Sequence, residues 1–185
     1  MATPDLHHVL VVLSPGFEEI EAVTAIDILR RAEIKVTTAT LDQSTAVMGS
    51  HAIPIEADTQ LSRINPDDYS VLALPGGMHG VENMLKSEQL LEIVRIMHKK
   101  NAILAAVCAA PLVFDRLGLL EGREFTCHPC IWDRISHPAQ DVPTVTDGAL
   151  VTGRSAGCAM PWSLALVEKL LGELPPKLLP GLRLP

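Results

Sequence analysis

Apolar residues fall along this chain in two patterns. Unbroken runs at 8–13 (HVLVVL), 69–74 (YSVLAL) and 102–107 (AILAAV) each end in a turn or a small residue, as strands buried on both faces of a parallel sheet do. Between them come stretches with helical spacing. Ile20, Val23, Ile26 and Leu29 predict a helix from Glu18 to Ala32, and Arg30 and Arg31 complement the dipole in its last turn. Residues 34–41 (IKVTTATL) predict a strand rich in β-branched side chains. Ser87 is placed to cap a helix reaching Asn101. Further helices are predicted from Ala109 to Leu117, stopped by Gly118, and over 158–171, with a last strand at 148–152. Residues 48–57 read as short extended pieces, a hairpin around Gly49. The stretch 123–147 reads as irregular, with a short helix near Trp132 and a Pro-containing segment.

Strands alternating with helices predict an α/β fold: a flavodoxin-like, doubly wound, mostly parallel sheet in one domain spanning 1–185. Residues 173–185 form a Pro-rich tail, and the four prolines of LPPKLLPGLRLP forbid a continuous helix. Its leucines lie against a surface, either of the same subunit or across a dimer. In an open α/β sheet ligands gather outside the carboxyl ends of the strands. The ends after Leu13, Leu74 and Val107 are expected on one edge, carrying a glutamate cluster, the pair Gly76–Gly77, and Cys108.

Composition sharpens this picture. With 48% hydrophobic but only 3% aromatic residues, the core must be built from Val, Ile, Leu and Ala, which favours helix-covered parallel strands over a β-sandwich. A formal charge of -7 argues against a nucleic-acid footprint or an anionic-membrane surface, leaving small molecules or proteins as partners. The N-terminus shows no basic leader and no window approaches a membrane span, so a cytoplasmic location is expected. Four cysteines are too few for a disulfide scaffold, and each is read as a thiol.

Cys108 ends a strand just before a helix. Such a corner suits a nucleophile, because backbone N–H groups are aimed at it, but free cysteine is also a common core residue, and both readings stand at this level. Glu18, Glu19 and Glu21 sit in the first turn of the first helix, where the dipole favours carboxylates, so at least two are expected to be structural. A carboxyl reaching Cys108 would have to be protonated, able to donate to sulfur and then move a proton. Gly76–Gly77 and the amide of Ala109 are candidate oxyanion donors. His128 is the best base candidate among seven histidines, lying in an irregular segment able to return to the sheet edge. Cys127-His128-Pro129-Cys130 also spells C-x-x-C, readable as a redox pair or, with His128, as metal ligands, although no second ligand pair has metal-site spacing. Cys158 reads as a pocket wall or a small core residue.

Together, GFEEIEAVTAIDILRRAEIKVTTA, LALPGGMHGVENM, ILAAVCAAP, the His-Pro of TCHPC and VTGRSAG resemble the marker segments of the ThiJ/PfpI superfamily. Within it they resemble most the branch that holds the Parkinson disease protein deglycase and bacterial YajL. The resemblance implies a homodimer of the class I glutamine-amidotransferase-like kind with a nucleophile elbow. Cys108 matches the reactive cysteine, Glu21 the protonated glutamate beside it, His128 the active-site histidine, and Gly77 and Ala109 the backbone donors. Pocket positions are Gly76, Met78, His51, Cys130 and Ser155. No cofactor and no metal are expected. Protease members carry a histidine directly after the cysteine; Ala109 stands there instead. His51 replaces an arginine of close relatives, Met78 follows the glycine pair, and Cys127, Cys130 and the tail depart from the family pattern.

The leading expectation is a glyoxalase III-type or deglycase-type enzyme converting methylglyoxal to lactate, or acting on glycated protein. The alternative is an oxidative-stress sensor or redox-regulated chaperone using the same cysteine.

Overall fold

The computed structural model describes residues 7–182. Residues 1–6, the first part of the N-terminal stretch read above for a leader, and the last three residues of the tail lie outside them. Strands β1 (His8–Leu13), β2 (Lys35–Thr40), β5 (Thr59–Gln60), β6 (Val71–Leu74), β7 (Ile103–Val107), β8 (Thr144–Asp147) and β9 (Leu150–Gly153) form a seven-stranded sheet. Its order is β5-β2-β1-β6-β7-β9-β8, parallel throughout except for β8, which pairs antiparallel with β9. Strands β3 (Ala46–Met48) and β4 (Pro54–Glu56) make a separate antiparallel hairpin, the one expected around Gly49.

Helices α1 (Glu19–Arg31) and α5 (Ala159–Leu171) cover one face of the sheet. Helices α2 (Met78–Lys86), α3 (Glu88–Lys99) and α4 (Pro111–Asp115) cover the other. Strand β1 shows why its run is apolar without interruption: Val9, Val11 and Leu13 pack on the α1/α5 side and Leu10 and Val12 on the opposite side. The doubly wound, flavodoxin-like α/β sheet read from the pattern is therefore the observed fold.

The structure corrects some boundaries. Residues 78–86 form a helix that periodicity did not reveal, because it is short, contains Gly80, and starts from Gly77, which has no side chain to cap it. Ser87 does cap the next helix, its hydroxyl accepting from the Leu90 amide at 3.2 Å. The helix expected from Ala109 to Leu117 shrinks to α4, since the corner itself uses Ala109 and Ala110. Strand β8 lies inside the stretch read as irregular. The tail packs on its own chain: α6 (Leu178–Leu182) buries Leu178 among the α1/α5 core residues, and Leu174 and Leu182 lie against them. Among the described residues no helix is long and apolar enough to cross a membrane.

Candidate active site

Because β1, β6 and β7 are adjacent and parallel, their carboxyl ends open side by side. At the end of β7 the Cys108 amide stays in the sheet, donating to Gly153 O at 2.9 Å, and the backbone then turns left-handed, with φ at 62°. A non-glycine residue held there costs on the order of 1 kcal/mol or more. The Ala110 amide closes the turn on Val107 O at 3.0 Å, and Pro111, which lacks an N–H to leave unsatisfied, opens α4. This is a nucleophile elbow. Its thiol is half-buried, and the amides of Gly77 and Ala109 point at the sulfur.

The first turn of α1 supplies the acid. Glu18 caps the helix, accepting from the Glu21 amide at 2.8 Å, while its own amide donates to Gly76 O at 3.0 Å. Glu21 is completely buried; its Oε2 accepts from the Gly76 amide at 2.6 Å, and its Oε1 has no partner among the described residues. Burial pushes this carboxyl up to about 7, against the partial relief of the Gly76 bond. Burial and the Glu21 charge also raise Cys108, while the two amides pull it down. Carboxyl and thiol thus compete for one proton, and the site resists a second negative charge.

Gly76 and Gly77 are what let three strand ends close on the thiol. A Cβ on Gly76 would lie 2.7 Å from Cys108 Cβ and 2.7 Å from Glu21 Oε2. Gly77 has φ at 87°, and its Cβ would lie 2.6 Å from the Glu18 amide and against Gly16 O. The third partner is His128. Its amide donates to Cys108 O at 2.9 Å, and its Nδ1 accepts from the Cys130 amide at 3.1 Å, so the neutral ring carries its proton on Nε2.

The sequence model of the DJ-1/PfpI family matches residues 7–169. The chain belongs to the DJ-1/PfpI family. Protein dj-1beta of Drosophila melanogaster is 36% identical to this DJ-1/PfpI chain over 167 residues, 89% of either protein. A protein named deglycase from Pyrococcus abyssi is 27% identical over 165 residues, 88% of this chain and 98% of that one. The crystal structure of a DJ-1 superfamily protein from Salmonella typhimurium matches with a TM-score of 0.91 at 32% identity, over 97% of this chain and 99% of that one.

In this DJ-1/PfpI protein the remaining expected positions divide. Met78 opens α2 directly after Gly77, and its sulfur accepts from Arg134 at 3.3 Å. Cys130 is exposed on the His128 turn. Ser155 donates to the Cys158 sulfur at 3.7 Å, in the loop that follows Gly153. His51 sits on the hairpin loop, bound to Glu19 through its amide at 2.6 Å and Nδ1 at 3.0 Å. Burial would raise the Glu19 carboxyl, but the bonds from His51 and Ser50 outweigh it and hold it at about 2. Glu19 is therefore a structural clasp, not a proton carrier.

Among the described residues, Glu18, Glu19 and His51 form the one cluster of such side chains spaced to hold a metal, with ligand atoms within 4.8 Å. Four donors already occupy the Glu19 oxygens. Sequence reasoning named Gly76 as an oxyanion donor and pocket position but did not foresee that its amide holds Glu21. It missed one contributor altogether. Arg134 ties the His128 segment to α2 through Glu82 at 2.7 Å and through Met78, and nothing local in the sequence marks it.

Proposed function

We propose that this DJ-1/PfpI protein is a cofactor-independent cysteine enzyme of the glyoxalase or deglycase type, acting on α-oxoaldehydes such as methylglyoxal or on their protein adducts. The observation that carries this reading is geometric: the buried Glu21 carboxyl, held by the Gly76 amide, and a thiol on a strained elbow meet at Gly76, where an added Cβ would lie 2.7 Å from each. The name of the Pyrococcus relative supports the same class of activity.

The Cys108 thiolate adds to the aldehyde carbon of methylglyoxal, and the protonated Glu21 neutralises the new oxyanion, giving a hemithioacetal. The Gly77 and Ala109 amides hold charge as it develops. Glu21, now a carboxylate, removes the hydrogen from that carbon and returns a proton to the neighbouring one through an enediol. The product is a lactoyl thioester, which water cleaves to lactate and the free thiol. With Nδ1 accepting from backbone, His128 enters this scheme as an Nε2–H donor to a substrate oxygen instead of as the base.

The active form is proposed to be a cytoplasmic homodimer. What supports the dimer is that large apolar side chains stand exposed on two elements tied together by Glu19: Ile20 and Val23 of α1, and Met48 and Ile53 of the hairpin. The enzyme reading is tested by incubating purified protein with methylglyoxal without glutathione and measuring lactate. Wild type is expected to exceed background clearly and Cys108→Ser to fall to it; equal yields would end the reading.

A further inference from the structure

Three thiols besides Cys108 are present, and the structure gives them different fates. Cys127 is wholly buried among core residues that include Phe125 and Ile131, and burial pushes its thiol up to about 12. Cys158 is almost buried and engaged by Ser155. Cys130 alone is exposed. The C-x-x-C spelling therefore does not describe a working pair, because its two sulfurs face core and solvent.

The same segment is laid against the elbow. The His128 amide is bonded to Cys108 O, and the His128 ring is bonded to the Cys130 amide. Only two peptide links, each about 3.8 Å between Cα atoms, separate Cys130 from a residue in contact with the nucleophile's own backbone.

We propose that Cys130 is the resolving thiol for Cys108, so that peroxide drives this chain into an intrachain Cys108–Cys130 disulfide. The proposal goes beyond the aldehyde chemistry and shares with it the nucleophilicity of Cys108 and the proton of Glu21. The Cys108 thiolate attacks the O–O bond of a hydroperoxide, forming the sulfenic acid. The departing oxygen takes the proton of Glu21 and leaves as alcohol or water. The Cys130 sulfur then attacks the sulfenic sulfur; the S–S bond forms, the S–O bond breaks, and the hydroxide leaves as water with the Cys130 proton. A small thiol resets the pair, two equivalents being oxidised to their disulfide.

A disulfide needs Cα atoms about 5.5–6 Å apart, so Cys130 must swing in as its turn opens. That turn is a three-residue 3-10 helix, Pro129–Ile131, closed by the bonds Ile131 N to His128 O at 3.1 Å and Trp132 N to Pro129 O at 3.2 Å. Short elements of this kind open locally, and here Pro129 and Cys130 are exposed and can move while the buried Ile131 stays anchored in the core. The anchors beyond it, Arg134 on Glu82 and Ser136 on Asp115, can stay in place while it opens.

The full chain is treated with two equivalents of hydrogen peroxide, the amount that carries one thiol to the sulfinate, then analysed by intact mass and by peptide mapping without reductant. Wild type is expected to lose two hydrogens as a monomer carrying a 108–130 link, and Cys127→Ser to do the same. Cys130→Ser is expected to gain two oxygens at Cys108 instead, with roughly tenfold more sulfinate than wild type at equal dose. A 127–130 link, a link between two copies, an unoxidised Cys108, or equal sulfinate in wild type and Cys130→Ser would overturn the proposal. Lactate formation from methylglyoxal by the same reduced sample separates the two readings: normal turnover without the link refutes only this one.

Discussion

Strand β7 is flanked by two non-glycine residues in the left-handed region, Asn101 before it at φ 58° and Cys108 after it at φ 62°. The backbone is nearly the same at the two corners, but what holds it is not. Asn101 follows the end of α3, and its own helix closes it: its amide donates to His98 O at 2.9 Å and the next amide, of Ala102, to Met97 O at 2.9 Å. Glu33 after α1 repeats the arrangement, with Glu33 N on Arg30 O and Ile34 N on Leu29 O. These are helix stops in which local hydrogen bonds account for the conformation. Cys108 has no helix behind it, and the one local bond at its corner, Ala110 N on Val107 O at 3.0 Å, engages neither of its own backbone groups. Gly153 accepts its amide and His128 donates to its carbonyl, both from distant parts of the chain. Strain imposed by neighbours far away in sequence presents a side chain, whereas strain imposed by the residue's own helix only ends it.

If that distinction is right, substitutions around Cys108 act through long-range contacts and those around Asn101 act locally. The largest effect is expected for Gly77→Ala, which adds a Cβ at positive φ into backbone atoms of Gly16 and Glu18. It should cost about 3 kcal/mol or more in urea unfolding and depress methylglyoxal turnover. Gly118→Ala makes the control, because its φ of 70° is similar but no atom lies within 4 Å of the added Cβ. It should cost only about 1 kcal/mol.

Glu21→Gln comes next, and its effect depends on pH. The native carboxyl titrates at about 7 against an ordinary value of 4.5, so between those values the folded protein holds more proton than the unfolded chain. Stability therefore falls as pH rises through that window and levels off above it, a loss of roughly 3 kcal/mol. Glutamine keeps the acceptor for Gly76 and removes the charge. Chemical denaturation should show Glu21→Gln more stable than wild type at pH 8, with the gain fading towards pH 4.5; a gain independent of pH would show that Glu21 is not held near neutrality.

The smallest effect belongs to Asn101→Gly. Glycine suits the helix stop, so stability should change by no more than about 1 kcal/mol and lactate production should match wild type. A large loss of turnover would break the comparison between the two corners.

The alternation of strand and helix, the sharing of one edge by Leu13, Leu74 and Val107, and the cap at Ser87 were all legible from residue pattern. They depend on side-chain period and on local backbone preference, which a linear string carries. Helix α2 and strand β8 were not legible, because one begins on an uncapped glycine and the other is a four-residue edge strand after Pro143, with a single buried side chain and only β9 as partner. The same limit applied at the site. Helical spacing could not choose among Glu18, Glu19 and Glu21, and only the family resemblance singled out Glu21.

The sequence by itself determined the layered architecture and the kinds of group that meet at the sheet edge: a thiol, an acid and paired backbone donors. The tertiary structure alone decided their states. Glu18 becomes a cap, Glu19 is clasped by His51, and Glu21 is sealed from water against the amide of Gly76, 55 residues away. Likewise it sends Cys127 into the core and leaves Cys130 in solvent. The reason is physical: protonation and reactivity follow burial and nearby donors, and those are supplied by strands that meet only once the sheet has formed.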